Sequence, residues 1–176
     1  QLIDWEKKKE LLANGELDCV MGSFSMTGRE NEYRWAGPYL ASRQVVAVDP
    51  ESDIYTLADL EDKIVAVQST TKPEGILLNR TNENVPQIKE LYCFSGRSCL
   101  NPALVEGLVD AIAAHESLML TYEKDYGVTY RILDEPLLTV GLGVAFARDD
   151  ARGLERALSD IFKQMRADGT MEEIIG

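Results

Sequence analysis

Four polar side chains set close together, Ser23, Ser25, Thr27 and Arg29, have the chemistry to hold a small anion. A guanidinium is a planar fork that grips a carboxylate through two parallel hydrogen bonds, and neighbouring hydroxyls add donors. The same residues would equally make a solvated turn with a surface arginine. Ser69-Thr70-Thr71, followed by Lys72-Pro73-Glu74, is a second candidate. Thr71 and Glu74 have capping-box spacing, and a proline in the first turn of a helix costs little. A helix starting there, directly after a strand, presents unpaired N–H groups and a positive dipole end to an anion. An ordinary capped helix would read the same way. His115-Glu116 closes an apolar run. The imidazole there is either a ligand contact or a structural hydrogen-bonder, and with Glu116 it could supply acid–base chemistry. Trp5 reads as a core residue that covers a sheet edge.

These groups need elements to position them. Leu17–Met21 is a short apolar run ending in Gly22-Ser23, as a fully covered parallel strand should be. That places Ser23 to Arg29 at a strand's C-terminal end, where open α/β sheets bind ligands. Asp4 to Asn14 reads as a helix with Asp4 as cap, Trp5 and Leu12 on one face, lysines in solvent and Asn14-Gly15 as a stop. Ser42–Val48, Ile64–Gln68, Ile88–Phe94, Leu108–His115, Tyr130–Leu133 and Leu137–Ala147 read as strands. Gly141 and Gly143 fall where bulk would not fit. Helices are expected from Thr71, from Asn101-Pro102 to Gly107, over Glu116–Tyr126 and over Arg152–Ala167. The last of these is expected to bury Leu154, Leu158, Ile161 and Met165, and a final helix is expected to be capped by Thr170 and Glu173.

Composition narrows the function. The 176 residues carry a net charge of −12, and 45% are apolar. A normal core is possible, and no apolar run is long enough to span a bilayer. The acidic balance argues against nucleic acid and anionic membrane surfaces as partners. It leaves room for a small anionic ligand, since one arginine can dominate a small pocket. Cys19 reads as a core residue, while Cys93 and Cys99 could close a short loop in an oxidising compartment or remain reduced. Three cysteines and one histidine in no zinc spacing predict no metal site, and no cofactor is expected.

Four stretches in order resemble the family 3 extracytoplasmic solute-binding proteins, the polar-amino-acid receptors of ABC importers. They are Leu17–Leu40 with its Arg and Pro38-Tyr39, Asp59–Gln68, Ser69–Glu74, and the Leu154–Ile174 ending with Ala167-Asp168-Gly169-Thr170, and Gly107–His115 is like a further strand of the family. The resemblance implies a two-lobed α/β periplasmic-binding fold of type II. Lobe 1 would come from residues 1–42 and 141–176, lobe 2 from 43–140, with hinge crossings near Leu40–Val45 and Leu138–Gly143. It implies that Arg29 binds a ligand carboxylate, joined in the interlobe cleft by Trp5, Ser23, Ser25, Thr27, Ser69, Thr70, Thr71 and His115. The family usually has one more residue between its Thr and Arg than separates Thr27 from Arg29. At the position of His115 its amino-acid binders carry an aspartate that pairs with the ligand's ammonium. Either Glu116 supplies that charge here, or the ligand lacks a conventional α-amino group. The family's opening strand–helix–strand has no counterpart before Gln1, so lobe 1 is expected to be incomplete, with an open sheet edge that could pair with a second copy.

The function so implied is non-enzymatic binding of a small carboxylate-bearing solute, an amino acid or analogue. It would take place outside the cytoplasm and deliver to an ABC permease in the membrane. Two alternatives share the fold. One is an extracytoplasmic sensor domain fused to, or cognate with, a histidine kinase or diguanylate cyclase. The other is a dehydratase-like enzyme using His115 and Glu116.

Overall fold

Runs that are apolar at every position become central strands here because both of their faces are covered. The computed structural model describes residues 2–175. The helices are α1 (Lys8–Ala13), α2 (Lys72–Asn79), α3 (Leu100–Val105), α4 (Glu116–Tyr126), α5 (Leu154–Ala167) and α6 (Thr170–Ile175). The strands are β1 (Arg34–Val48), β2 (Ile64–Gln68), β3 (Glu90–Phe94), β4 (Ala111–His115), β5 (Arg131–Ile132) and β6 (Leu138–Phe146). They form two compact units: Arg43–Thr139 with the residues before Lys7, and Lys7–Ser42 with the residues from Val140 onward.

In the Arg43–Thr139 unit the strand order is β3-β2-β4-β1-β5. β2 runs parallel to both β3 and β4, with Val65, Ala66 and Val67 opposite Ala111, Ile112 and Ala113. β1 is antiparallel to β4, with Gln44 opposite His115 and Val48 opposite Ala111. Alternate side chains go to opposite faces. Val46, Val48, Val65, Val67, Ala111 and Ala113 therefore join Ile76 and Leu77 of α2 in one core. Val45, Ala47, Ala66 and Ile112 join Leu100 and Leu104 of α3 and Met119 of α4 in the other. Each buried Val, Leu, Ile or Met side chain among them is worth about 1.5–3 kcal/mol. Helices on both faces are what a parallel β2–β4 pair requires.

In the other unit, Ala36, Val144 and Phe146 pack with Phe162 of α5 and Met171 of α6, and Cys19, Tyr39, Leu158 and Met165 close around them. β6 pairs with β1. A Cβ on Gly143 would come within 2.6 Å of the Met26 sulfur and 3.0 Å of the Ala36 carbonyl oxygen, and one on Gly141 within 3.0 Å of Pro38. Both glycines stand where bulk does not fit, as their sequence position predicts.

Several expectations are corrected. Leu17–Met21 is not a covered parallel strand. It makes one isolated antiparallel bridge, Val20 to Ala145, because Met21 is exposed and positive φ angles at Gly22 and Ser23 turn the chain away. The strand expected at Ser42–Val48 starts at Arg34. The first helix is a short 3-10 turn, Trp5–Lys7, followed by α1, and Lys8 is buried rather than in solvent. The helix expected at Asn101 begins at Leu100 after a 3-10 turn, which leaves the Asn101 side chain to accept a 2.7 Å hydrogen bond from the Tyr130 hydroxyl. In α5, Leu154 and Ile161 are exposed, and the buried track runs through Glu155 and Phe162. The contact of the Phe162 ring with Tyr39, centroids 5.8 Å apart, sets that rotation. Thr170 begins α6 instead of capping it, and the Asp168 carboxylate accepts its N–H at 3.0 Å. Cys93 and Cys99 are free, exposed thiols.

Candidate functional site

The segment from Gly22 to Tyr33 is irregular because its backbone bonds outward instead of to itself. The Met26 N–H donates to the Gly141 carbonyl at 2.9 Å, and the Gly143 N–H to the Phe24 carbonyl at 3.0 Å. Ser25 bridges to Leu142 and is buried, its hydroxyl lacking a hydrogen-bond partner among the described residues. Ser23 takes a left-handed φ of 50°. The backbone N–H groups of Ser23 and Gly22 bond the Tyr39 hydroxyl and oppose the upward push that burial gives that phenol. Thr27 is exposed at the turn before Gly28, whose N–H bonds Glu30 at 3.0 Å.

Arg29 is half-buried. Its guanidinium carbon lies 5.4 Å from the centre of the Phe24 ring. Phe24 in turn packs on Tyr33 and Trp35, with centroids 5.3 and 5.1 Å away. The Trp35 indole N–H donates to the Arg29 carbonyl at 3.0 Å, which fixes the backbone beneath the side chain. Burial lowers the Arg29 pKa, and Glu32 and Tyr33 work against that, so the group stays cationic. The aromatic cluster escaped the sequence reading because Phe24, Tyr33 and Trp35 follow no helical or strand period.

In the Arg43–Thr139 unit the second group gathers at the C-terminal ends of β2 and β4, which are adjacent and parallel. The β2–α2 turn is tighter than a capping box. The Thr71 hydroxyl donates back to the Gln68 carbonyl at 2.5 Å, and Glu74 accepts the Thr70 N–H at 2.7 Å in place of that of Thr71. Thr70 has a φ of 60°, which aligns its N–H with Glu74. Ser69 is tied through its N–H to the Phe94 carbonyl at 2.8 Å.

His115 ends β4 and is the N-cap of α4. Its two ring nitrogens lie 2.9 and 2.8 Å from the Gln44 side-chain nitrogen. Gln44 is 1% exposed, and its side-chain oxygen has no partner among the described residues. In the sequence Gln44 only ends the polar triplet Ser42-Arg43-Gln44 before the apolar run Val45–Val48, which gave no signal for its burial. Beside this pair, Glu116 is gripped through both oxygens by Arg43, the Nε contact measuring 2.9 Å. That pairing lowers the Glu116 pKa. Trp5 is half-buried and groups with this same unit.

The whole sequence, residues 1–176, matches the bacterial extracellular solute-binding proteins, family 3. The chain belongs to that family. It is 27% identical to the glutamate-binding protein GluB of Corynebacterium glutamicum, over 98% of this chain and 61% of that protein. It is 30% identical to the histidine-binding periplasmic protein of Salmonella typhimurium, over 90% of this chain and 63% of that one. The chain thus spans less than two thirds of the length of these relatives. A solved substrate-binding protein of an amino acid ABC transporter superposes with a TM-score of 0.84 at 26% identity. That match covers 99% of this chain and 76% of the other. The fold is accordingly the type II periplasmic-binding fold. Among the described residues, no helix is long and apolar enough to cross a membrane.

Proposed function

We propose that this family member binds a small carboxylate-bearing solute, an amino acid or analogue, outside the cytoplasm and delivers it to an ABC-type permease. The observation that carries the reading is Arg29. Its guanidinium is half-buried against Phe24, with the backbone beneath it tied to Trp35, so little side-chain freedom remains to be lost on gripping a carboxylate. Ser23, Ser25 and Thr27 are the proposed hydroxyl contacts around it. Ser69, Thr70, Thr71, His115 and Trp5 are the proposed contacts from the Arg43–Thr139 unit. The relatives' names support the ligand class and the partner. Binding without turnover is favoured over dehydratase chemistry because Arg43 occupies both oxygens of Glu116, the only carboxylate next to His115 in sequence.

A thermal-shift screen of amino acids and organic acids tests this. A ligand at about 100 times its dissociation constant adds roughly 2.7 kcal/mol to stability. Arg29→Ala should abolish the shift while leaving the far-ultraviolet circular dichroism unchanged. A shift that survives in Arg29→Ala removes the assigned role, and the absence of any shift with every carboxylate removes the reading.

A further inference from the structure

We propose that β3 is a docking edge for a second copy of this chain, the two β3 strands pairing antiparallel about a two-fold axis at Tyr92. This interface does not depend on the carboxylate-binding reading above.

β3 closes one side of the sheet in the Arg43–Thr139 unit, and among the described residues no strand lies beyond it. Its neighbour fixes which backbone groups are left over. The Ser69 N–H donates to the Phe94 carbonyl at 2.8 Å, so Phe94 turns its backbone groups toward β2. Successive residues of a strand turn these groups to opposite sides, so Leu91 and Cys93 direct theirs outward, as a row that a further strand can bond. α2 packs on β2 and β3 but leaves Cys93 exposed. The usual protections of an edge are also missing. Natural edges are kept single by lysine, proline, a bulge or extreme shortness. Glu90-Leu91-Tyr92-Cys93-Phe94 holds neither lysine nor proline. Its register with β2 is unbroken, from Ile64 opposite Glu90 to Gln68 opposite Phe94.

The same stretch fits itself. With Tyr92 opposite Tyr92 of the second copy, Leu91 faces Cys93 of that copy and Cys93 faces its Leu91. These become hydrogen-bonded pairs that exchange both N–H···O bonds, so every outward group of Leu91 and Cys93 finds a partner. Tyr92 meets its counterpart at the closer, non-hydrogen-bonded position, as an aromatic pair on the face that holds Phe94 and α3. Glu90, the single charge of the strand, falls opposite Phe94 of the second copy, so no like charges are set face to face. The two-fold also closes the assembly. Head-to-tail growth would need the opposite edge, β5, which is two residues long.

A five-residue ladder buries less than a standard interface, so the dimer should be weak and populated at high concentration. Sedimentation equilibrium of the 176-residue chain tests this, in about 0.15 M sodium chloride to screen the charge of −12 on each copy. The weight-average mass should rise from one chain toward two as the concentration approaches about 1 mM. Cys93→Pro removes an outward N–H without touching the bonds to β2. It should hold the mass at one chain with the far-ultraviolet circular dichroism unchanged. In a chain whose native cysteines are all serine, Tyr92→Cys should form a disulfide between copies under oxidised glutathione. Facing Cα atoms at a non-hydrogen-bonded position lie about 4.5 Å apart, within disulfide reach. Leu91→Cys in the same background faces position 93 and should run as one chain on a non-reducing gel. A chain that stays monomeric throughout overturns the proposal. So does a dimer that survives Cys93→Pro, or one that Leu91→Cys locks and Tyr92→Cys does not. The crosslink alone assigns or removes this edge if Cys93→Pro fails to fold.

Discussion

At the scale of single residues, the least replaceable side chain in the Arg29 loop is Phe24. It is 1% exposed and touches Arg29, Tyr33 and Trp35 together. Phe24→Ala should cost about 3–5 kcal/mol, read from urea denaturation. A loss below 1 kcal/mol would mean that the cluster is not packed as described. Glu116 gives a pH signature. Its folded pKa lies below the ordinary 4.5, chiefly through its hydrogen bond to Arg43. The pair's contribution is therefore fully present above that value and lost as pH falls through the lower folded value. Both partners are partly in solvent, so it amounts to about 1 kcal/mol or less. Glu116→Gln should lower the melting temperature near pH 7 by more than it does in acid strong enough to protonate the folded carboxyl, and an equal effect at both would remove the linkage. Arg29 and His115 stood out as candidates in the sequence because their chemistry is rare among their neighbours. Gln44 did not, because its role depends on facing His115 across two strands that lie far apart in the chain.

At the scale of elements, two glycines separate backbone freedom from steric need. Gly75 lies inside α2, and a Cβ built on it meets nothing within 4 Å. Gly75→Ala should therefore stabilise by roughly 0.5–1 kcal/mol, since glycine is the poorer helix former. Gly143→Ala should destabilise by about 1–3 kcal/mol, because the new methyl meets Met26 and the Ala36 carbonyl. Differential scanning calorimetry on both variants checks the opposite signs. The positions of β2, β4 and α4 were readable from continuous apolar runs and a terminal Gly127. The Leu17–Met21 run misled because a short apolar stretch carries no record of its partner. The face of α5 misled because two apolar tracks compete on one helix, and only the Tyr39 contact chooses between them.

At the scale of the whole molecule, the net charge of −12 sets a background of self-repulsion. The Debye length falls from about 30 Å at 0.01 M salt to about 8 Å at 0.15 M. The melting temperature should therefore rise over that range of sodium chloride, and a flat or falling profile would show that local ion pairs outweigh the overall field. The type II fold was legible from the order of four stretches along the chain. The assignment of Trp5 was not, since the residues before Lys7 group with Arg43–Thr139 and not with the helix that follows them.

That grouping equips the protein with two optical reporters. Of its two tryptophans, Trp5 belongs to one unit and Trp35 to the other. Trp35 donates its indole N–H to the backbone beneath Arg29, so its emission should respond when an anion reaches that loop. Trp5→Phe leaves only the Trp35 signal, and Trp35→Phe only the other. Fluorescence from these two variants would show whether the halves melt together or one after the other.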